Sequence, residues 1–390
     1  MKRKIAVVTA TRAEFGLLKP IIAALKNIEE FETEVVVTGA HLSPEFGLTY
    51  RDIQNEETEI TKKIEILLSS DTSVGISKSM GLAIISFAEY FDESRPDILL
   101  VLGDRYETLA VCCAAMNARI PIAHLYGGET TEGAVDEAIR HSITKMSYLH
   151  FTATEEYRSR VIQLGEHPDR VFTVGAMGVE NAARMHLLTK EELEKSIQFS
   201  LDRPYAIVTF HPETLEKGSS QVQFEEVLKV LEKHRELKYV FTKANADADG
   251  RIINKMIDEF VIRNHDSVCF DSLGSLRYLS AVKYAYMVIG NSSSGLIEVP
   301  SFRIPTINIG GRQRGRIYAD SVINCPVDEN GIDKAIMLAS SEAFRNEIVN
   351  VKNPYGDGNT SMKVVSILRA FLKDDRIDLK KSFYDIKDGL

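Results

Sequence analysis

The chain has 390 residues, 44% of them hydrophobic and 26% charged. That profile is a soluble globular protein of about two domains, each long enough to bury its own core. A net charge of −9 argues against general affinity for nucleic acid, so any anionic ligand needs a local basic pocket.

Four cysteines, Cys112, Cys113, Cys269 and Cys325, lack CxxC spacing and fit a reducing compartment. The N-terminal apolar run is too short for a signal peptide and no window approaches a membrane span. A cytoplasmic protein with no membrane contact is expected.

Taken in chain order, short apolar runs alternate with amphipathic stretches. Strands are predicted over 4–9, 33–38, 97–102, 121–125, 149–152 and 171–174, with helices over 15–28, 76–92, 106–117, 134–146 and 154–163. After a charged stretch at 189–203 the pattern restarts, with strands over 205–210, 238–242, 267–270, 286–290 and 304–308. Strands alternating with helices predict parallel, doubly wound sheets. The expectation is therefore two Rossmann-like α/β domains, 1–180 and 181–365, with a tail over 366–390. Helix 361–373 is expected to cross back to the first domain. Ligands bind beyond the carboxyl ends of such strands, so the motifs are expected to converge on an interdomain cleft.

Every chemical constellation follows a predicted strand. TATRAE follows the first; Arg12 there can hold a phosphate or be a solvated helix start, and Glu14 can cap the helix. GDRYET follows 97–102, where Asp104 is either a cap or a site carboxylate beside Arg105. HLYGGETTEG follows 121–125 and leads into a helix bearing Asp136, Glu137, Arg140 and His141. The spacing puts Asp136, Arg140 and His141 on a similar face, which also suits a surface salt bridge. The two glycines before Glu129 permit a tight, ligand-approaching loop.

In the second half, His211 precedes a proline at a strand end, a sharper signal than a lone histidine. TKANAD places Asn245 at the next strand end, and GGRQRGR places Arg312, Arg314 and Arg316 after 304–308. Residues 284–300, YAYMVIGNSSSGLIEVP, carry the most information. A strand ends at Gly290, small polar residues follow, a helix opens at Gly295, and Glu298 sits about one turn in. Free N–H groups at such a start suit a diphosphate, and a carboxylate one turn on can accept ribose hydroxyls. A serine-capped turn is the structural alternative. The histidines lack ligand spacing, so no metal and no cofactor is expected.

TATRAEFG, TGAHLSPEFG, VLGDRYE, the GGE to IRHSITK segment, FHPET, GNSSSGLIEVP and INIGGRQRGR together make the chain resemble the hydrolysing UDP-N-acetylglucosamine 2-epimerases of bacterial sialic-acid biosynthesis. The resemblance covers nearly the whole chain. It implies a glycosyltransferase-B-like fold, a homo-oligomer (dimer or tetramer), and conversion of UDP-N-acetylglucosamine and water to N-acetylmannosamine and UDP through a 2-acetamidoglucal. Carried over by position, it implies Asp104 and Asp136 as catalytic carboxylates. It implies Arg12, Arg105, His211, Ser292, Ser293, Glu298 and Arg312 as nucleotide and diphosphate contacts, and His41 and Asn245 as further cleft residues. Many relatives carry an acid/base glutamate just before the Gly-Gly, where this chain has Tyr126. Glu129 is the nearest replacement, so Asp104, Glu129, Asp136 and His211 are the expected catalytic set. The alternatives are a relative acting on a 2,4-diacetamido-trideoxy sugar nucleotide, a non-hydrolysing 2-epimerase, a glycosyltransferase and a nucleotide-sugar sensor.

Overall fold

The computed structural model describes residues 2–56, 58–68, 72–130, 135–212, 220–244, 250–373 and 379–386. The chain forms two compact units, Met1–Asn181 with Tyr355–Leu390, and Ala182–Pro354. Among the described residues no helix is long and apolar enough to cross a membrane.

The first unit holds a seven-stranded parallel sheet: β1 (Arg3–Thr9), β2 (Phe31–Thr38), β3 (Lys62–Ile64), β4 (Ile98–Leu102), β5 (Ile122–Leu125), β6 (Leu149–Thr152) and β7 (Val171–Thr173). Their spatial order is β3-β2-β1-β4-β5-β6-β7. Because strand side chains alternate, β1 serves two cores. Ile5 and Val7 pack on one face with Leu18 and Ile22 of helix Arg12–Lys26 and with Val364 and Leu368 of helix Thr360–Leu372. Ala6 and Val8 pack on the other with Phe87 and Phe91 of helix Ser73–Ser94. The continuous apolar runs in these strands follow from burial on both faces.

The second unit repeats the plan with six parallel strands: β8 (Tyr205–Thr209), β9 (Lys238–Thr242), β10 (Ser267–Phe270), β11 (Met287–Gly290), β12 (Thr306–Ile309) and β13 (Val322–Cys325). The order is β10-β9-β8-β11-β12-β13. In each sheet the order reverses once, between β1 and β4 and between β8 and β11. Those reversals bring the carboxyl ends of neighbouring strands together, the usual place for a ligand site in open α/β sheets.

Two strands were not expected from the sequence. Both β3 and β13 are edge strands; each is short, and β3 opens on two exposed lysines, so neither shows the apolar run of a central strand. The helix expected from Gly295 is shorter than its pattern suggested. It covers only Ser294–Ile297, and Val299–Phe302 continues as a 3-10 turn. Pro300 has no N–H with which to extend the α-helical ladder.

The segment from Tyr355 onward, which includes the tail expected at 366–390, belongs to the first unit. Its last described residues are fastened there. Lys381 Nζ meets the buried Glu166 at 2.6 Å and donates to the Ser147 carbonyl at 2.7 Å. Phe383 packs over Gly165, where a Cβ would lie 2.3 Å from the ring.

Candidate active site

In the first unit, β1 passes into helix Arg12–Lys26 through a reciprocal cap. Glu14 N–H donates to Thr11 Oγ1 at 3.3 Å, while Glu14 Oε2 accepts the N–H groups of Ala10 at 2.8 Å and Thr11 at 3.2 Å. The capping role read for Glu14 is thus present. The neighbouring strand, β4, ends in Gly103, Asp104 and Arg105. Arg105 donates through Nε and Nη2 to Glu107 at 3.2 and 3.1 Å, and its Nε lies 3.8 Å from Glu14 Oε1.

Arg140 organises the rest. It is 2% exposed, and its guanidinium makes a short bond to Asp104. It also donates to Glu137 Oε2 at 2.6 Å and to the Glu129 carbonyl at 2.8 Å. One buried cation therefore ties the end of β4, the loop after β5 and helix Val135–Met146 together. Its partners are Asp104 and Glu137 rather than the Asp136 its helical spacing allowed. Asp136 begins the same helix. Desolvation, then the Asp104 charge, push its carboxyl above the ordinary range, against the pull of Arg140 and Arg105. A carboxyl whose proton affinity is held upward suits proton transfer. Glu129 is buried, 7% exposed.

The loop carrying Glu129 depends on close backbone approach. Gly128 has φ +81°, and a Cβ there would lie 2.3 Å from the Tyr157 carbonyl. Tyr126 itself adopts φ 70°, and its hydroxyl accepts the Met177 N–H at 2.8 Å. The phenol is committed to the scaffold. Tyr126→Phe is expected to keep most turnover and to lower stability by about 1 kcal/mol, the net worth of one such bond; steady-state kinetics and urea unfolding check both halves. Beneath the loop, His124 is fully buried and its Nε2 lies 2.8 Å from the Gly103 carbonyl. Burial pushes its imidazole down to about 3, so the ring is a neutral strut.

In the second unit, Gly290 ends β11 with φ +139°, and a Cβ there would stand 1.8 Å from the Thr209 carbonyl of β8. Only glycine fits that approach. Asn291 then clamps the neighbouring strand end: its Oδ1 accepts the His211 N–H at 2.7 Å and its Nδ2 donates to the His211 carbonyl at 2.8 Å. The Asn291 carbonyl accepts from Arg312 at 3.0 Å and from the buried Gln313 at 2.8 Å. The ends of β8, β11 and β12 are thereby one hydrogen-bonded patch. Burial, and next the Arg312 charge, push the His211 imidazole down to about 4. It is neutral at pH 7, and its buried Nδ1 makes no hydrogen bond among the described residues. Arg312 is exposed and Ser292 and Ser293 half-buried. Glu298 sits at the joint between the short helix and the 3-10 turn. With only one helical turn behind it, the macrodipole at this start is small.

The remaining expected residues divide. Arg12 is exposed, with Asp52 at 3.9 Å. His41 is fully buried, and its two ring nitrogens lie 3.1 Å from Thr9 Oγ1 and 2.8 Å from Thr49 Oγ1. It braces the end of β1 instead of offering a free nitrogen. Asn245 lies outside the described residues. Sequence reasoning passed over Glu107, the clamp role of Asn291, and Gln313. Only Gln313 carried a signal, its place inside the GGRQRGR loop.

The family profile described as UDP-N-acetylglucosamine 2-epimerase matches residues 23–369. The GDP/UDP-N,N'-diacetylbacillosamine 2-epimerase (hydrolyzing) of Campylobacter jejuni is 42% identical over 388 residues, covering 99% of this chain and 100% of that protein. Polysialic acid biosynthesis protein P7 of Escherichia coli is 40% identical, covering 99% and 98%. The crystal structure of UDP-GlcNAc 2-epimerase from Neisseria meningitidis bound to UDP-GlcNAc has the same fold, with a TM-score of 0.75 at 20% identity, over 95% of this chain and 100% of that one. The chain belongs to the UDP-N-acetylglucosamine 2-epimerase family and is a sugar-nucleotide 2-epimerase of the hydrolysing kind.

Proposed function

We propose that the substrate is a nucleotide-activated 2,4-diacetamido-2,4,6-trideoxyglucose, N,N'-diacetylbacillosamine, and that the products are the free 2-epimeric diacetamido sugar and the nucleoside diphosphate. The observation that carries this reading is the 42% identity, over the full length of both chains, with a protein whose name states that reaction. A second reading, UDP-N-acetylglucosamine to N-acetylmannosamine, draws on the 40% identity with a polysialic acid biosynthesis protein.

The chemistry is common to both. A base removes the weakly acidic C2 proton while the diphosphate leaves C1 as an anion, giving a glycal. Water then adds at C1 and an acid returns a proton to C2 from the opposite face. Two faces require two titrating groups. Asp136, with its raised carboxyl, and the buried Glu129 are assigned to them, with the Arg140-bound Asp104 close by. The arginines Arg12, Arg105 and Arg312 offset the leaving charge. Ser292 and Ser293 offer loop donors to the diphosphate and Glu298 accepts the ribose hydroxyls. His211, whose imidazole burial holds neutral, is assigned a proton or a hydrogen bond at the end of β8.

The test is incubation in heavy water with UDP- and GDP-N,N'-diacetylbacillosamine and, separately, UDP-N-acetylglucosamine. The expected result is free diacetamido sugar labelled with deuterium at C2, with kcat/KM favouring it by roughly 10²-fold, the discrimination a pocket gains from a few substituents. Preference for UDP-N-acetylglucosamine selects the second reading. An epimer still attached to its nucleotide sinks both.

A further inference from the structure

Glu14 has features that a helix cap does not require. The two backbone N–H groups it accepts both use Oε2. Its other oxygen, Oε1, is buried and accepts no hydrogen bond, and the residue is only 8% exposed. The charged groups facing it are Arg105 and Glu107, the cap and first turn of helix Tyr106–Asn117 after β4. The Arg105 guanidinium, 3.8 Å from Glu14 Oε1, is already gripped by Glu107, itself 1% exposed. One cation therefore serves two buried carboxyls. Ionising both would leave one buried negative charge uncompensated, a costly state. Burial accordingly pushes the Glu14 carboxyl up to about 7, against the two backbone bonds and Arg105.

We propose that Glu14 is a positioning residue for Arg105: it takes up a proton when the nucleotide diphosphate arrives, which releases the guanidinium from Oε1 so that, still held by Glu107, it offers its charge to the ligand. The proposal rests on the nucleotide-sugar reading above. Both effects of an arriving diphosphate act in one direction. Its negative charge, and the loss of Arg105 from Oε1, each raise the proton affinity of Glu14. Binding therefore takes up a proton near neutral pH. By linkage, nucleotide affinity falls as pH rises through the Glu14 titration.

The experiment is calorimetry of UDP, with GDP as second probe, binding to the wild-type protein and to Glu14→Gln. Each titration is run in two buffers of different ionisation enthalpy at about pH 6.5, 7.5 and 8.5, spanning the titration. The variant's amide side chain keeps a carbonyl oxygen for the Ala10 and Thr11 N–H groups, so the cap survives. The wild type is expected to take up a fraction of a proton at pH 7.5. Relative to the variant, its Kd should weaken by about sixfold between the lowest and highest pH, the part of one unit of coupling that falls inside that window. The nucleotide's own phosphate ionisation, with its second pKa at about 6, is common to both proteins and cancels in the comparison. Equal proton uptake and equal pH slopes in the two proteins overturn the proposal while leaving the nucleotide site standing. A wild type that binds neither nucleotide overturns the site and the proposal together. Should Glu14→Gln not fold, the wild type decides: no buffer dependence at pH 7.5 overturns the proposal.

Discussion

Asp136→Asn is expected to lower turnover by roughly 10²–10⁴-fold, the usual contribution of a positioned acid or base, while nucleotide affinity changes little. Asparagine keeps the shape of the side chain and removes its proton. The carboxyl it replaces is pushed upward by desolvation and by Asp104, so it holds a proton more readily than an ordinary aspartate and, once ionised, is a stronger base. Glu129→Gln should lose activity on the same scale, because chemistry on two faces of C2 needs a second group and Tyr126 has its hydroxyl bound to Met177. Steady-state kinetics on the preferred sugar nucleotide, with calorimetry on the nucleotide alone, separate chemistry from binding. The pattern that defeats the assignment is a dead Tyr126→Phe beside an active Glu129→Gln, since the proton would then pass through the phenol.

The largest loss of stability is expected from Arg140→Met. Methionine fills much of the volume but leaves the Asp104 and Glu137 carboxylates and the Glu129 carbonyl without their shared donor. Breaking a buried ion pair by removing one partner costs about 3–5 kcal/mol. The side chains of Asp104 and Glu137 are 30% and 28% exposed, so water recovers part of that and the lower end, about 3 kcal/mol, is expected. Urea unfolding measures it directly. A loss below about 1 kcal/mol, the worth of an exposed pair, would show that Arg140 is not the tie between the three segments.

Strand ends were legible because parallel strands buried on both faces read as apolar runs that stop abruptly at small or charged residues. That placed Asp104, Glu129, His211 and Asn291 on the loops that follow those strands. The edge strands β3 and β13 were not legible, because β3 is three residues opening on two exposed lysines and β13 is four residues with a polar, exposed interior, whereas the edge strands β7 and β10 were expected at 171–174 and 267–270. Burial of polar groups was the other blind spot. Periodicity gave Arg140 a solvent-facing partner in Asp136, whereas the fold turns the guanidinium inward to Asp104, a contact 36 residues away in the chain. The burial of His41 was not legible either, since the two threonine hydroxyls that hold its ring come from separate segments. Such pairings depend on tertiary approach, which spacing along one helix or one strand does not encode.

The first unit is discontinuous: Tyr355–Leu390 joins Met1–Asn181 only after the whole of Ala182–Pro354 has been made. The ribosome therefore delivers the second sheet as an uninterrupted stretch that can close by itself. The first sheet must wait, with the apolar surface of helix Arg12–Lys26 that Val364 and Leu368 will cover still open. Chaperones that recognise exposed apolar surface have their longest opportunity on that helix. A fusion partner placed after the tail would also pull on the Lys381 anchor in Glu166. For this chain, a tag belongs at the other end.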